Sequence, residues 1–226
     1  MINSIKNKQK ILEIFLNNSL LNSWNNESLK EAVLEAGFSE GDLSIIFEKG
    51  IYSFIDFFID EGNKKLEERV VNIDLNSLKI RDKIKELVKT RLLIEENNKR
   101  ALRNLTTISK GQKIPNLLKN SYRIADKMWE VSGDRATDFN FYTKRLILSK
   151  VFSKTLLYFI QDNSADNQKT WDFLDKEIEK VMKIGKVKKQ MNDYIEKVKE
   201  CVVDNDGFLK EKISKLPFIR LINRKK

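Results

Sequence analysis

Apolar residues recur every three or four positions along most of this chain, the period of helices with one buried side. Lys6 to Asn18 sets Ile11, Ile14 and Phe15 in a polar frame and predicts a first helix. Glu27 to Ala36 predicts a second, entered through Asn25-Asn26 and stopped by Gly37. Ser39 is placed to cap a short third helix near Glu40 to Phe47. The clearest pattern follows Gly50, where Ile51, Phe54, Ile55, Phe58, Ile59, Gly62 and Leu66 share one face. The next helix aligns Ile80, Ile84, Leu87, Val88 and Arg91.

Helical spacing continues from Asn97 to Gly111 and restarts at Pro115, a first-turn residue, to reach about Val131. Asp138 is positioned to cap a further helix ending near Asp162. Its apolar stretch from Leu146 to Ile160 leaves little polar circumference, as expected of a central helix or an oligomer interface. Gln168 to about Met182 turns Trp171, Leu174, Ile178 and Val181 inward. Beyond a bend at Gly185, Val187, Met191, Tyr194, Ile195, Val198, Cys201 and Val202 form a stripe of coiled-coil type. Asp204 to Gly207 reads as a hinge.

The 226 residues contain only 8 Gly and 2 Pro, too few chain breakers for a many-stranded sandwich. The fold class is therefore all-α. The pattern divides into a region over 1–50, a helical body over 51–203 and a tail over 204–226. A single cysteine, Cys201, rules out an intramolecular disulfide and fits a buried small hydrophobe. Histidine is absent, which removes the usual general base, the Ser-His and Cys-His nucleophile pairs and the commonest zinc ligand. The expectation is a protein without catalytic residues, metal or cofactor. Asp134 and Asp138 read as loop and cap chemistry rather than an acid–base pair.

The net charge of +10 is unevenly spread. Between Asn22 and Gly62, nine acidic residues face only Lys30 and Lys49, whereas Phe208 to Lys226 sets seven cations against Glu211. In that tail Leu209, Ile213 and Leu216 share a face opposite Lys210, Lys212 and Lys215. After Pro217, Phe218, Leu221 and Ile222 form a second apolar face beside Arg220 and Arg224. A cationic amphipathic segment of this kind suits an anionic membrane surface. With no signal peptide or long apolar run, the expected location is cytoplasmic, peripherally attached to the inner face of the membrane.

Glu27 to Leu43, with Ala32, Ala36, Gly37, Phe38, Ser39, Leu43 and Phe47 at their spacing, resembles the helix-turn-helix of TetR-type regulators. A recognition helix needs cations to enter the major groove, and this one carries Glu40, Asp42 and Glu48. DNA binding is not expected, and a TetR-type ligand-responsive regulator is the alternative reading.

The stretch from Asp126 to Lys183 is more particular. Asp126-Lys-Met-Trp129, Gly133-Asp134, Thr137-Asp-Phe-Asn140, Tyr142-Thr-Lys-Arg145 and Thr170-Trp-Asp-Phe-Leu174 resemble the COQ9 family of ubiquinone-biosynthesis proteins. Matches reach upstream through Ile80-Arg-Asp-Lys-Ile84 and Arg91-Leu, covering roughly residues 25–185. The resemblance implies a TetR-like helical fold, a homodimer, and a pocket that holds an isoprenoid quinone precursor or other lipid. It further implies a terminal helix on the membrane and a surface patch that engages a quinone-biosynthesis hydroxylase. Carried over by position, the patch is Met128, Trp129, Asp138, Phe141, Tyr142 and Arg145. Phe141 departs from the family, which commonly has Trp there and so an indole N–H that Phe lacks. Phe54, Ile55, Phe58, Leu87, Leu92, Val151, Phe152 and Leu156 are the candidate lipid lining, and packed solid they would be ordinary core. Leu209, Ile213, Leu216, Phe218, Leu221 and Ile222, with Lys212, Lys215 and Arg220, are the candidate membrane contacts.

Overall fold

The computed structural model describes residues 2–18, 23–108, 114–134 and 139–184. Among them are α1 (Ile5–Asn18), α2 (Asn26–Glu35), α3 (Asp42–Ile46), α4 (Ile51–Val70), α5 (Ile80–Leu93), α6 (Lys99–Ile108), α7 (Ile114–Val131), α8 (Phe139–Phe159) and α9 (Gln168–Ile184). Short 3₁₀ turns precede α5, α6 and α9, and no strand occurs among the described residues. The all-α class follows directly from the sequence periodicity. The predicted stripe at 186–203, Cys201 and the whole tail from Asp204 lie outside the described residues, as does Asp138.

Local chemistry sets several boundaries. Asn25 accepts from the Ser28 amide to cap α2, while its neighbour Asn26 reaches across and accepts from the Ile51 amide at 2.8 Å, capping α4. The Asn-Asn pair thus starts two helices rather than one. Gly37 (φ +88°) and Gly133 (φ +79°) end α2 and α7 in the same way. The Gly37 amide bonds Leu34 O and the Phe38 amide bonds Val33 O; the Gly133 amide bonds Glu130 O and the Asp134 amide bonds Trp129 O. Both are Schellman closures, which need a left-handed residue that glycine adopts without strain. The third helix is shorter than the spacing implied. Ser39 donates its amide and hydroxyl to the Asp42 carboxylate at 2.8 and 2.7 Å, so the first turn is closed by Asp42 and the helix runs only to Ile46.

One hydrophobic core runs from Ile11 in α1 to Ile178 in α9. At its N-terminal end Phe15, Trp24, Phe47, Phe54 and Phe58 interlock. Ring centroids lie 4.6 Å apart for Phe15–Phe54, 4.9 Å for Phe15–Trp24 and 5.4 Å for Trp24–Phe58. Tilted and edge-on contacts at these spacings suit the ring quadrupole and add to the burial energy. The Trp24 indole donates to Ala101 O at 2.9 Å, fastening this cluster to α6. Helices α4 and α7 are joined at the surface by Arg123, which pairs with both Asp56 and Asp60. None of the described helices is long and apolar enough to cross a membrane.

Candidate functional site at the corner between α7 and α8

The residues singled out in the sequence meet where α7 ends and α8 begins. The Schellman turn at Gly133 directs Asp134 back toward α8, where its carboxylate meets Lys144 at 2.7 Å and Arg145 at 3.3 Å. Arg145 also pairs with Asp126 on α7 and donates to the carbonyl of Phe141 one turn earlier at 3.1 Å. Its guanidinium carbon sits 3.3 Å from the centre of the Phe141 ring. One side chain therefore ties α7, the turn and the first turn of α8 together. Phe141 in turn meets Tyr142 edge-on at 5.0 Å, so Arg145 fixes the aromatic pair that α8 presents.

Burial sorts the predicted docking residues into two groups. Met128, Trp129 and Arg145 are buried at 0, 5 and 3 % exposure, and Phe141 and Tyr142 are half-buried. The surface role expected for Arg145 is corrected: it is an interior strut, because two carboxylates and a backbone carbonyl draw it inward. Met128 and Trp129 pack in the core beneath the same corner, with Lys144 over the Trp129 ring at 5.3 Å. Of the described residues in this set, Phe141 and Tyr142 are the ones that keep part of their surface open to solvent.

Electrostatics agree with a rigid corner. Burial raises the Asp134 pKa, but hydrogen bonds and charge from Lys144 and Arg145 outweigh it and hold the carboxyl below its ordinary range. Burial and the Asp126 charge push the Tyr122 hydroxyl up to about 12, so it stays protonated as a donor. The Tyr122 hydroxyl and the Trp129 indole nitrogen are both buried without a hydrogen-bond partner.

The eight candidate lipid residues belong to the described core or pack against it. Phe54, Phe58, Leu87, Leu92, Val151 and Phe152 are buried core, with Ile55 and Leu156 packed against it. Phe54 and Phe58 are occupied by the aromatic cluster with Phe15 and Trp24. A cleft of about 740 Å³ instead opens between α5, α6 and the start of α9, lined by Lys89, Leu93, Lys99, Asp162 and Trp171 among others. Its lining mixes apolar side chains, Leu93 and Trp171, with polar ones gathered by the turn before α9, Asp162, Asp166 and Asn167. There Asp162 accepts from the amides and hydroxyls of Ser164 and Thr170 at 2.6 to 2.8 Å.

The burial of Arg91, Glu95 and Glu177 escaped the sequence reading. Arg91 on α5 is 2 % exposed and pairs with Glu95 at 2.8 Å. The signal was present: Arg91 falls on the apolar face of its helix, and Gly62 falls on the facing stripe of α4. On α8, Lys154 and on α9, Lys180 both pair with Glu177, which is 5 % exposed.

Residues 114–185, which span α7, the corner, α8 and α9, match the COQ9 family model. The chain is 30 % identical over 176 residues to the mitochondrial ubiquinone biosynthesis protein COQ9 of Rattus norvegicus, covering 74 % of this chain and 56 % of that protein. It is 29 % identical over 176 residues to the Homo sapiens protein of the same name, covering 74 % of this chain and 55 % of it. It is 25 % identical over 208 residues to a probable mitochondrial ubiquinone biosynthesis protein of Dictyostelium discoideum, covering 85 % of this chain and 68 % of it. The chain thus spans little more than half the length of the two mammalian relatives. The segment that builds the α7–α8 corner thus matches the COQ9 family model, and the chain is similar to COQ9 proteins over most of its length.

Proposed function

We propose that the protein is an accessory factor of ubiquinone biosynthesis that binds an isoprenoid quinone precursor and presents it to a membrane-associated hydroxylase. The observation that carries this reading is the coincidence of the family segment, residues 114–185, with the Arg145-braced corner. A braced corner that holds Phe141 and Tyr142 on one turn gives a partner a preorganised aromatic contact, which lowers the ordering cost of association. The names of the relatives supply the pathway.

In this reading the basic tail, with Leu209, Ile213, Leu216, Phe218, Leu221 and Ile222 toward the acyl region and Lys212, Lys215 and Arg220 toward anionic headgroups, brings the protein to the membrane. The lipid enters the core beside Ile55 of α4, Leu92 of α5 and Phe152 and Leu156 of α8. The hydroxylase meets Phe141 and Tyr142, and a homodimer presents two such faces. The regulator alternative is disfavoured by the short third helix: five residues span about 7.5 Å of axis. Its first residue is Asp42, its flanks carry Glu40 and Glu48, and the nearby cation Lys30 is taken up by Glu40 at 2.6 Å. Repulsion from phosphate follows.

The test is transfer. Vesicles containing anionic lipid and a polyprenylated phenol are incubated with the full chain, which is then re-isolated and extracted. Recovery of the phenol with the protein, lost when the chain ends near Asp206, is the expected result; recovery no greater than with an unrelated basic protein would reject it.

A further inference from the structure

Helix α8 carries apolar residues around most of its circumference. It packs against α5, α7 and α9. On its remaining side Leu157 and Tyr158 are 46 and 38 % exposed, and Leu146 and Ile147 are half-buried. Helical spacing sets these four on one strip, with Lys150 between them. At the edge toward α9, Tyr158 stacks on Phe173 with ring centroids 4.7 Å apart and planes 13° from parallel. A helix apolar all round is ordinarily covered all round, so this strip lacks an occupant among the described residues.

Two contacts fix the register of α8 against α9: Tyr158 lies opposite Phe173, and Lys154 meets Glu177 at 2.7 Å. Antiparallel helices keep such pairs in step. Ile184, eleven residues after Phe173, therefore comes level with Ile147, eleven before Tyr158. The chain leaves α9 beside the start of the open strip. Gly185 follows at once, and from Val187 apolar residues recur at Met191, Tyr194, Ile195, Val198 and Val202. A connection this short joins antiparallel neighbours. As a helix, residues 187–202 would span about 24 Å, enough to cover the roughly 18 Å from Leu146 to Tyr158. On that register Ile195 and Val198 flank the level of Leu157 and Tyr158. A second copy suits the strip less well. A two-fold axis through it would set Lys150 and Lys154 of the two copies against each other, whereas a tethered segment acts at an effective concentration of about a millimolar. We infer that residues 187–202 dock as a helix along the open side of α8 and are the partner of the Leu157–Tyr158 strip. So docked, they deliver the basic tail to the C-terminal end of α8, about 30 Å from Phe141 and Tyr142 at its start. On the tail reading above, membrane contact and partner contact then fall at opposite ends of one helix.

Cys201 is the one cysteine of the chain and supplies the test. The register puts it level with Gln161, which is exposed about one turn beyond Leu157 and Tyr158. The full chain carrying Gln161→Cys is oxidised with copper phenanthroline, and its tryptic peptides are read by mass spectrometry. An intrachain disulfide to Cys201 is the expected product. Gln168→Cys stands at the same level but on the side of α9 toward α5, where it lines the cleft with Leu93. It should react at least about tenfold more slowly, since a disulfide needs Cα atoms within about 7 Å. A disulfide joining two chains through Gln161→Cys would give the strip to a second copy and overturn the assignment. Equal rates at the two positions, or no reaction at either, overturn it too. Leu157→Glu, at an exposed position and checked for helix content by circular dichroism, gives an independent readout. Tryptic cleavage at Lys188 and Lys189 should rise about tenfold, because the docked segment loses one apolar contact and opens more often. Cleavage at the unaltered rate would show that the strip holds nothing from this segment.

Discussion

Replacing Gly62 with alanine distinguishes local propensity from the packing of a buried charge. In an exposed helix interior this change stabilises by about 1 kcal/mol, because alanine loses less backbone entropy. In α4 the new Cβ would stand 2.5 Å from the Arg91 Cζ, 2.9 Å from Nη1 and closer still to Nη2. Carbon atoms rest at about 3.5–4.0 Å, so the guanidinium must retreat by about 1 Å or more. It has nowhere to go, since Arg91 is 2 % exposed and held by Glu95, which is itself 5 % exposed. Overpacking of this kind costs about 1–3 kcal/mol, and loss of the buried pair would raise the total toward 3–5 kcal/mol. After the propensity gain, Gly62→Ala should destabilise by about 2–4 kcal/mol. For a chain of this size that lowers Tm by roughly 4–16 °C. Urea unfolding followed by circular dichroism reads the change directly. In an Arg91→Met, Glu95→Gln background the same alanine should be neutral or stabilising. Stabilisation by about 1 kcal/mol in the unaltered protein would refute the argument.

Gly50→Ala should cost about 2 kcal/mol in the same assay, since φ is +54° and the added Cβ meets Asn26 Oδ1, the cap of α4. Arg145→Lys should behave nearly as badly as Arg145→Ala, with losses of about 3–5 kcal/mol, because one ammonium cannot serve Asp126, Asp134 and Phe141 O together. Tyr142→Ala should leave unfolding within about 0.5 kcal/mol while weakening hydroxylase capture in a pull-down. Acid unfolding should report Asp162: burial alone would raise its pKa, but Thr170 and Ser164 hydrogen bonds hold it far below the ordinary carboxylate value. A depressed folded pKa contributes stability present above the unfolded pKa, about 4, and lost as pH falls below it. Asp162→Asn should flatten the stability–pH curve below about pH 4, and an unchanged acid slope would show the buried turn to be uncoupled from folding.

Helix content was legible because most helices announce one apolar face, from Ile11 and Phe15 in α1 to Trp171 and Leu174 in α9, while α8 announces itself by a long apolar run. The stop at Gly37 was legible for the same local reason. What periodicity could not show was the direction of long polar side chains. Arg145 lies on α8 beside Tyr142, and it is drawn inward by Asp126 on α7 together with Asp134, which the Schellman turn at Gly133 aims back along the helix. Asn26 reads as a helix entrance, yet its partner is Ile51, far along the chain. The apolar set Phe54, Phe58, Leu87 and Val151 satisfies a cavity wall and a solid core equally well, since composition carries no volume. In the structure the set is packed as core.

The central claim, that the protein carries an isoprenoid lipid, is tested most directly by native mass spectrometry of the full chain purified without detergent. A bound species of isoprenoid mass, released by collisional activation and close to one per protomer, is the predicted result. A spectrum of lipid-free protein, unchanged after incubation with vesicles that contain a polyprenylated phenol, would contradict it.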